Sequence, residues 1–355
     1  MAALVYHEAS GARVRAGSYA DHAASTYGLA AQALRDGRGE ESAELARYTV
    51  QEALEAYELF SEWSQAIPAF MVERGVAPDV IATESARLSE LLRLPDGMPF
   101  DGDAGWASYK GQIENFSRRA KAGAGTEALP ILDGARTTWR DTHDRLCDAV
   151  YGWIDAASRH LGEGIVGPLW DILMQPMYDY YDRYDLDNHP WSRSFDLLMH
   201  YALEGMRGHL TGPGRMGDLE VVEEEDRWAI RFDPCGSGGR TLRDDPESGT
   251  GPRTEAPYGF GVTQEPHDWS WNKAGICLYC VHCCQLNERM PIARFGYPTR
   301  VVDPPVWPAA RSGAKCTWYV YKHPSLVPDD VYRRVGAVKP AGLGGKAQRA
   351  EEQGG

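Results

Sequence analysis

The chain holds 355 residues, and 37 basic against 51 acidic side chains give it a formal net charge of -14. An acidic surface repels phosphate, so no nucleic-acid partner is expected, and no run approaches the ~18 uninterrupted apolar residues of a membrane span, so no membrane partner is expected either. Hydrophobic residues make up 43 % and charged residues 25 %, which is the make-up of a globular protein large enough to build its own core.

In chain order, the first 210 residues read as mostly helical. From Glu41 to Glu73, Leu45, Tyr48, Thr49, Leu59, Phe60, Trp63 and Ile67 recur at three- and four-residue steps and form one apolar stripe, closed by Gly75 and Pro78. A short helix is predicted from Pro78 to Leu92. Loops are expected over Leu94–Gly105 and from Ala120 to Thr126, where glycine and proline gather. Further helices are expected over Ala135–His160, Pro168–Arg183 and Trp191–His209. The pattern then changes. Leu219–Val222 and Arg227–Phe232 read as strands, residues 236–261 as a long loop, and Thr299–Val302 and Cys316–Lys322 as two more strands. The predicted class is α+β: a helical part (1–210) packed on a smaller antiparallel strand-rich part with a cysteine cluster (211–338), then a disordered tail (339–355). The opening residues lack the basic flank and apolar stretch of a secretory signal, which predicts a cytoplasmic protein.

Seven cysteines occur, and four of them, Cys277, Cys280, Cys283 and Cys284, fall within eight residues. An odd, clustered set in a long chain points to metal or thiol chemistry rather than to a disulfide framework. The spacing of Cys277, Cys280 and Cys283 suits zinc, with an iron–sulfur cluster as the alternative cofactor. Cys235 or Cys316 is the candidate remote ligand, and His282 is either a ligand or a general base. Small buried thiols with one reactive member are the plainer reading. Cys235 ends a predicted strand and begins a glycine-rich turn, a setting for a metal ligand, a nucleophilic thiol or an anion-binding turn. His267 and Asp233 are the candidates for proton transfer.

Other patterns are weaker. Gly212, Gly214 and Gly217 match a dinucleotide fingerprint by spacing, but they follow a helix and precede a strand, the reverse of what that site needs. Glu52, Glu55, Glu58 and Glu62 lack the Glu-x-x-His partners of a diiron bundle and read as a solvated helix face. Asp196, His200 and Glu204 share one helix face, either lining a cleft or facing water. The tyrosines between Tyr178 and Tyr184 read as a helix end leaning on the second part.

The strand end Phe232–Gly239, the Cys280–Cys283 segment and the strand from Cys316 resemble the family of L-2-amino-thiazoline-4-carboxylic acid hydrolases over residues 190–325. That resemblance implies a helical front, a strand-rich back and hydrolytic ring opening at a carbon between nitrogen and sulfur, with Cys235, Cys280, Cys283 and Cys316 as motif positions. The expected function is a metal- or thiol-dependent hydrolase or lyase acting on a small polar molecule that contains nitrogen or sulfur. The alternative is a small-ligand binding or sensing module with a structural zinc or iron–sulfur site. A small-molecule substrate is the expected partner, and a homo-oligomer is left open.

Overall fold

The computed structural model describes residues 3–343, 345 and 346. It opens on an antiparallel hairpin, β1 (Leu4–His7) and β2 (Ala12–Arg15), absent from the sequence reading. Five helices follow: α1 (Thr26–Arg35), α2 (Gly39–Glu73), α3 (Pro78–Leu91), α4 (Gly102–Lys121) and α5 (Leu129–Leu161). Ser25 caps α1 by accepting from the Gly28 N–H, and Asp101 caps α4 by accepting from Ala104. Arg118, Arg119 and Lys121 complement the carbonyl end of α4.

The stripe on α2 is buried as its spacing predicts, with Phe60, Trp63 and Ile67 each 3 % exposed or less. Two expectations need correcting. Gly102 and Gly105, expected in a loop, lie inside α4. A side chain at Gly105 would come within 2.3 Å of Thr142, so these glycines serve the packing of α4 on α5. Glu52, expected on a solvated face, is buried and bonded to Arg207 at 2.6 Å and to Thr26 at 2.8 Å.

The expected Pro168–Arg183 helix is broken into α6 (Val166–Leu173) and α7 (Gln175–Tyr180), and α8 (Trp191–Gly208) closes the helical part. Gly212, Gly214 and Gly217 all take positive φ in the turn after α8. The strands β3 (Glu220–Glu223) and β4 (Arg227–Phe232) come next. After the 236–261 segment come α9 (Val281–Cys284), a π-helical turn (Gln285–Arg289) and α10 (Met290–Phe295). The chain then forms β5 (Val301–Asp303), β6 (Cys316–Tyr321) and α11 (Asp329–Arg333). The antiparallel sheet has the order β3-β4-β6-β5, which makes the fold α+β.

One buried cluster runs from Tyr27 to Val335, across position 210. Trp170 donates to the Leu278 carbonyl at 2.9 Å and Trp191 to the Tyr321 carbonyl at 3.2 Å, so helices and sheet share their polar anchors. The 236–261 segment is a loop, but an anchored one. Arg240 and Arg253 are buried and both bind Asp148 of α5, at 2.7 and 2.8 Å. Of the tail expected to be disordered, residue 344 and residues 347–355 lie outside the described residues. Among the described residues no helix is long and apolar enough to cross a membrane.

The crossing of α2 and α8 is closest at Gly208, where an added Cβ would fall 1.9 Å from the Glu52 carbonyl oxygen, while Gly205 on the same helix has nothing within 4 Å. Gly208→Ala is therefore expected to lower the unfolding free energy by about 1–3 kcal/mol. Gly205→Ala is expected to raise it by up to about 1 kcal/mol through helix propensity. Urea titration of the two variants checks both signs.

Candidate functional site

The register of the sheet decides where the cysteines go. Phe232 of β4 pairs with Cys316 of β6, and Cys235, three residues past the strand end, is an electrostatic neighbour of Cys316. The turn that follows must be glycine. A side chain at Gly236 would meet the His209 carbonyl at 1.8 Å, and one at Gly238 would meet the Cys280 sulfur at 2.3 Å. The turn is thus pressed between the end of α8 and the cysteine segment. Cys235, Cys277, Cys280, Cys283 and Cys316 interact electrostatically as one neighbourhood. Cys284 turns away, its sulfur 3.6 Å from the Asp268 carbonyl.

The sulfurs do not converge to one coordination sphere. Among the described residues, the group that brings three ligand atoms within 4.8 Å of one another is His7, Asp196 and His200. The reason is local: Cys277 and Cys280 interact with each other, and three of the sulfurs have polar partners of their own. Cys235 lies 3.5 Å from Ser237 Oγ, Cys277 3.6 Å from Thr241 Oγ1, and Cys283 3.3 Å from His282 Nε2. The Thr241 hydroxyl already donates to the Gly238 carbonyl at 2.6 Å, so it accepts from the Cys277 thiol. As arranged, this donor set does not fit zinc or an iron–sulfur cluster.

The Cys283–His282 contact has the form of a nucleophile and its base. His282 Nδ1 lies 2.7 Å from the Tyr279 carbonyl. A carbonyl only accepts, so Nδ1 carries the proton and the Nε2 lone pair faces the Cys283 thiol. Tyr279, Trp170 and Trp63 surround the ring at 4.7, 5.1 and 6.0 Å and fix its plane. Desolvation pushes the His282 pKa down to about 4 and the Cys283 thiol up, so the resting pair is neutral. The π-helical turn begins two residues later, an irregularity often found at functional sites.

Glu55 on α2 is exposed; desolvation raises its carboxyl pKa, and Arg300 is its largest charged neighbour. Arg300 lies over the Trp318 ring at 4.8 Å and donates to Tyr181 at 2.8 Å, and it interacts electrostatically with Cys283. Its Nε has no hydrogen-bond partner among the described residues, while the Trp318 side chain is turned to the Cys316 thiol. A buried guanidinium N–H without an acceptor invites an anionic ligand group.

A second chain of groups reaches His282 from behind. Asp144 accepts from His143 Nδ1 at 2.8 Å, and His143 Nε2 meets His209 Nδ1 at 2.8 Å. Asp144 is held ionised against desolvation by Arg215 and Arg240. This fixes His143 with its proton on Nδ1, which leaves the His209 Nδ1 proton to point at His143. His209 is an electrostatic neighbour of His282.

Asp233 and His267 are engaged elsewhere. The Asp233 carboxylate pairs with Arg243 at 2.6 Å and Lys315 at 3.6 Å. His267 binds Glu163 at 2.8 Å and stacks on Trp269 at 4.0 Å. The groups the sequence reading missed are Arg300, Trp318, Glu55, His143 and His209. Arg300 lay in plain view within a predicted strand, but nothing local tied it to the cysteines. Comparison with known protein families, curated proteins and solved structures returns no match.

Desolvation depresses the His143 pKa from 6.5 to about 4. The unfolded chain then binds a proton that the native chain refuses, so this stability is complete above about pH 6.5 and lost as pH falls toward about 4. The unfolding free energy should decline across that window. His143→Gln should make the decline shallower by about 1.4 kcal/mol per pH unit, as measured by urea titration at several pH values.

Proposed function

We propose that the chain is a thiol-dependent hydrolase or lyase acting on a small, carboxylate-bearing molecule that contains a C=N or C=O carbon bonded to nitrogen or sulfur. The observation that carries this reading is the 3.3 Å contact between the Cys283 sulfur and His282 Nε2, with the histidine oriented by the Tyr279 carbonyl. The unpartnered Nε–H of Arg300 supports a carboxylate as the ligand's handle.

In this reading Cys283 passes its proton to His282 Nε2 as its sulfur bonds to the electrophilic carbon, and the π electrons move onto nitrogen or oxygen. The imidazolium returns that proton to the leaving nitrogen or sulfur as its bond to carbon breaks. Water, deprotonated by His282, then attacks the acyl- or imidoyl-thiol carbon and the Cys283 thiol is restored. Ring opening between nitrogen and sulfur, implied by the family resemblance, is one instance of this chemistry. A module that binds or senses a small anion without turning it over is the second reading, supported by the same unpartnered Arg300 Nε–H.

The test is turnover of 2-amino-thiazoline-4-carboxylate and related cyclic thioimidates, followed as released thiol, with metal content measured on the same preparation. Cys283→Ser and His282→Gln are each expected to reduce turnover by about 1,000-fold with the fold retained. Arg300→Gln is expected to raise KM more than it lowers kcat. Turnover that survives Cys283→Ser, or tightly held zinc whose removal unfolds the chain, contradicts the thiol reading.

A further inference from the structure

His7 on β1 and Asp196 and His200 on α8 come from opposite ends of the helical part, yet their ligand atoms gather within 4.8 Å. His7 Nε2 lies 2.5 Å from Asp196 Oδ2, and His200 Nε2 lies 3.6 Å from Oδ1. Two of the three donors also have outer partners. Ser10 Oγ meets His7 Nδ1 at 2.9 Å, leaving Nε2 for the cluster, and the Tyr19 hydroxyl donates to Asp196 Oδ1 at 2.5 Å. Such outer partners are what fix metal ligands in place.

The second observation is His22. It is 1 % exposed; one ring nitrogen turns to the Arg15 backbone, and the other has no hydrogen-bond partner among the described residues. Its ring stands edge-on to His200 at 5.1 Å, and the His7 ring is 4.4 Å from His200 on the cluster's side. The backbone of Arg15 serves the imidazole's proton but leaves its lone pair without a taker. A cation in the cluster supplies one.

We infer that His7, Asp196 and His200, with His22 as the adjacent fourth donor, form a site for a divalent transition-metal ion. Imidazole nitrogens with one carboxylate suit zinc, cobalt, nickel or ferrous iron rather than magnesium or calcium, which prefer all-oxygen sets. The site is also next to a place for a ligand. Tyr19, which holds Asp196, packs on Phe195 and Trp228 at 6.0 and 5.3 Å, and those two residues line a groove of about 420 Å³ together with Glu223 and Lys322. The sequence had set Asp196 and His200 on one helix face. It gave no sign that His7 and His22 would join them.

The experiment is cobalt(II) titration of chelator-treated full-length protein, read as visible ligand-field absorption and repeated by calorimetry with zinc. The expected result is a single cobalt ion bound through nitrogen and oxygen, without the strong near-ultraviolet band of thiolate ligation. His200→Ala and the isosteric Asp196→Asn should each weaken binding by more than the about 10- to 100-fold that loss of an outer partner costs. Tyr19→Phe should fall within that range, and Cys283→Ser should leave binding unchanged. The inference is overturned by the absence of cobalt or zinc binding in the folded wild type. It is equally overturned by binding that survives Asp196→Asn, or by a thiolate band lost in Cys283→Ser. The last outcome would revive a metal at the cysteines and would count against the thiol mechanism separately.

Discussion

Two carboxylates one turn apart on α5, Asp144 and Asp148, face three guanidiniums: Arg215 on the turn after α8, and Arg240 and Arg253 on the long loop. Asp148 is 1 % exposed, and Arg215, Arg240 and Arg253 are each 6 % exposed or less. Charges this deep persist only when paired and hydrogen-bonded. Their pairing pins α5, the turn after α8 and the long loop to one another. Arg215 holds the Gly236 carbonyl at 3.0 Å, which sets the turn leaving Cys235. Arg240 then draws the rest of that turn onto α5, and Gly238 comes to rest against Cys280. Arg240 pairs with both carboxylates, so removing either one would strand one buried cation, Arg215 or Arg253, and weaken the hold on Arg240.

The same charges govern protonation inside. Asp144 stays ionised and fixes the His143 tautomer, while a carbonyl rather than a carboxylate orients His282. His282 therefore remains a neutral base beside a neutral thiol. An ion pair at rest would have to be stabilised by neighbouring charge, and Arg300, the nearest cation, is already engaged with Tyr181 and stacked on Trp318. A ligand carboxylate that meets Arg300 also changes the field at Cys283. In the proposed mechanism this ties proton transfer to the arrival of substrate.

How far this was legible in the sequence depended on range. The stripe on α2 and the apolar runs of β4 and β6 set their own periods, and those elements lie within a residue or two of where periodicity puts them. The hairpin β1–β2 escaped because strands of four residues show no more than two alternations. The start of α4 escaped because Gly102 and Gly105, read as loop formers, are there to let α5 approach. Likewise Glu52 looked solvated because its partner Arg207 lies 155 residues away. At the site, Cys283 and His282 were visible as neighbours in a cysteine-rich run. Arg300, Trp318, His143 and His209 were not, because each reaches the site through a tertiary contact that no local spacing encodes. Asp233 and His267 illustrate the converse: proximity in sequence to cysteines did not keep their side chains from nearer charged partners.

The central claim is that an accessible thiol at Cys283 stands beside a guanidinium that receives an anion. Alkylation rates of individual cysteines, mapped by peptide mass spectrometry with iodoacetate and with iodoacetamide, test it most directly. The account predicts that Cys283 reacts ahead of the fully buried Cys147, Cys277 and Cys284, that iodoacetate is favoured over the neutral reagent at Cys283 alone, and that Arg300→Gln removes the preference. Equal rates for the two reagents at Cys283, or a Cys283 as inert as the buried thiols in the folded protein, would contradict it.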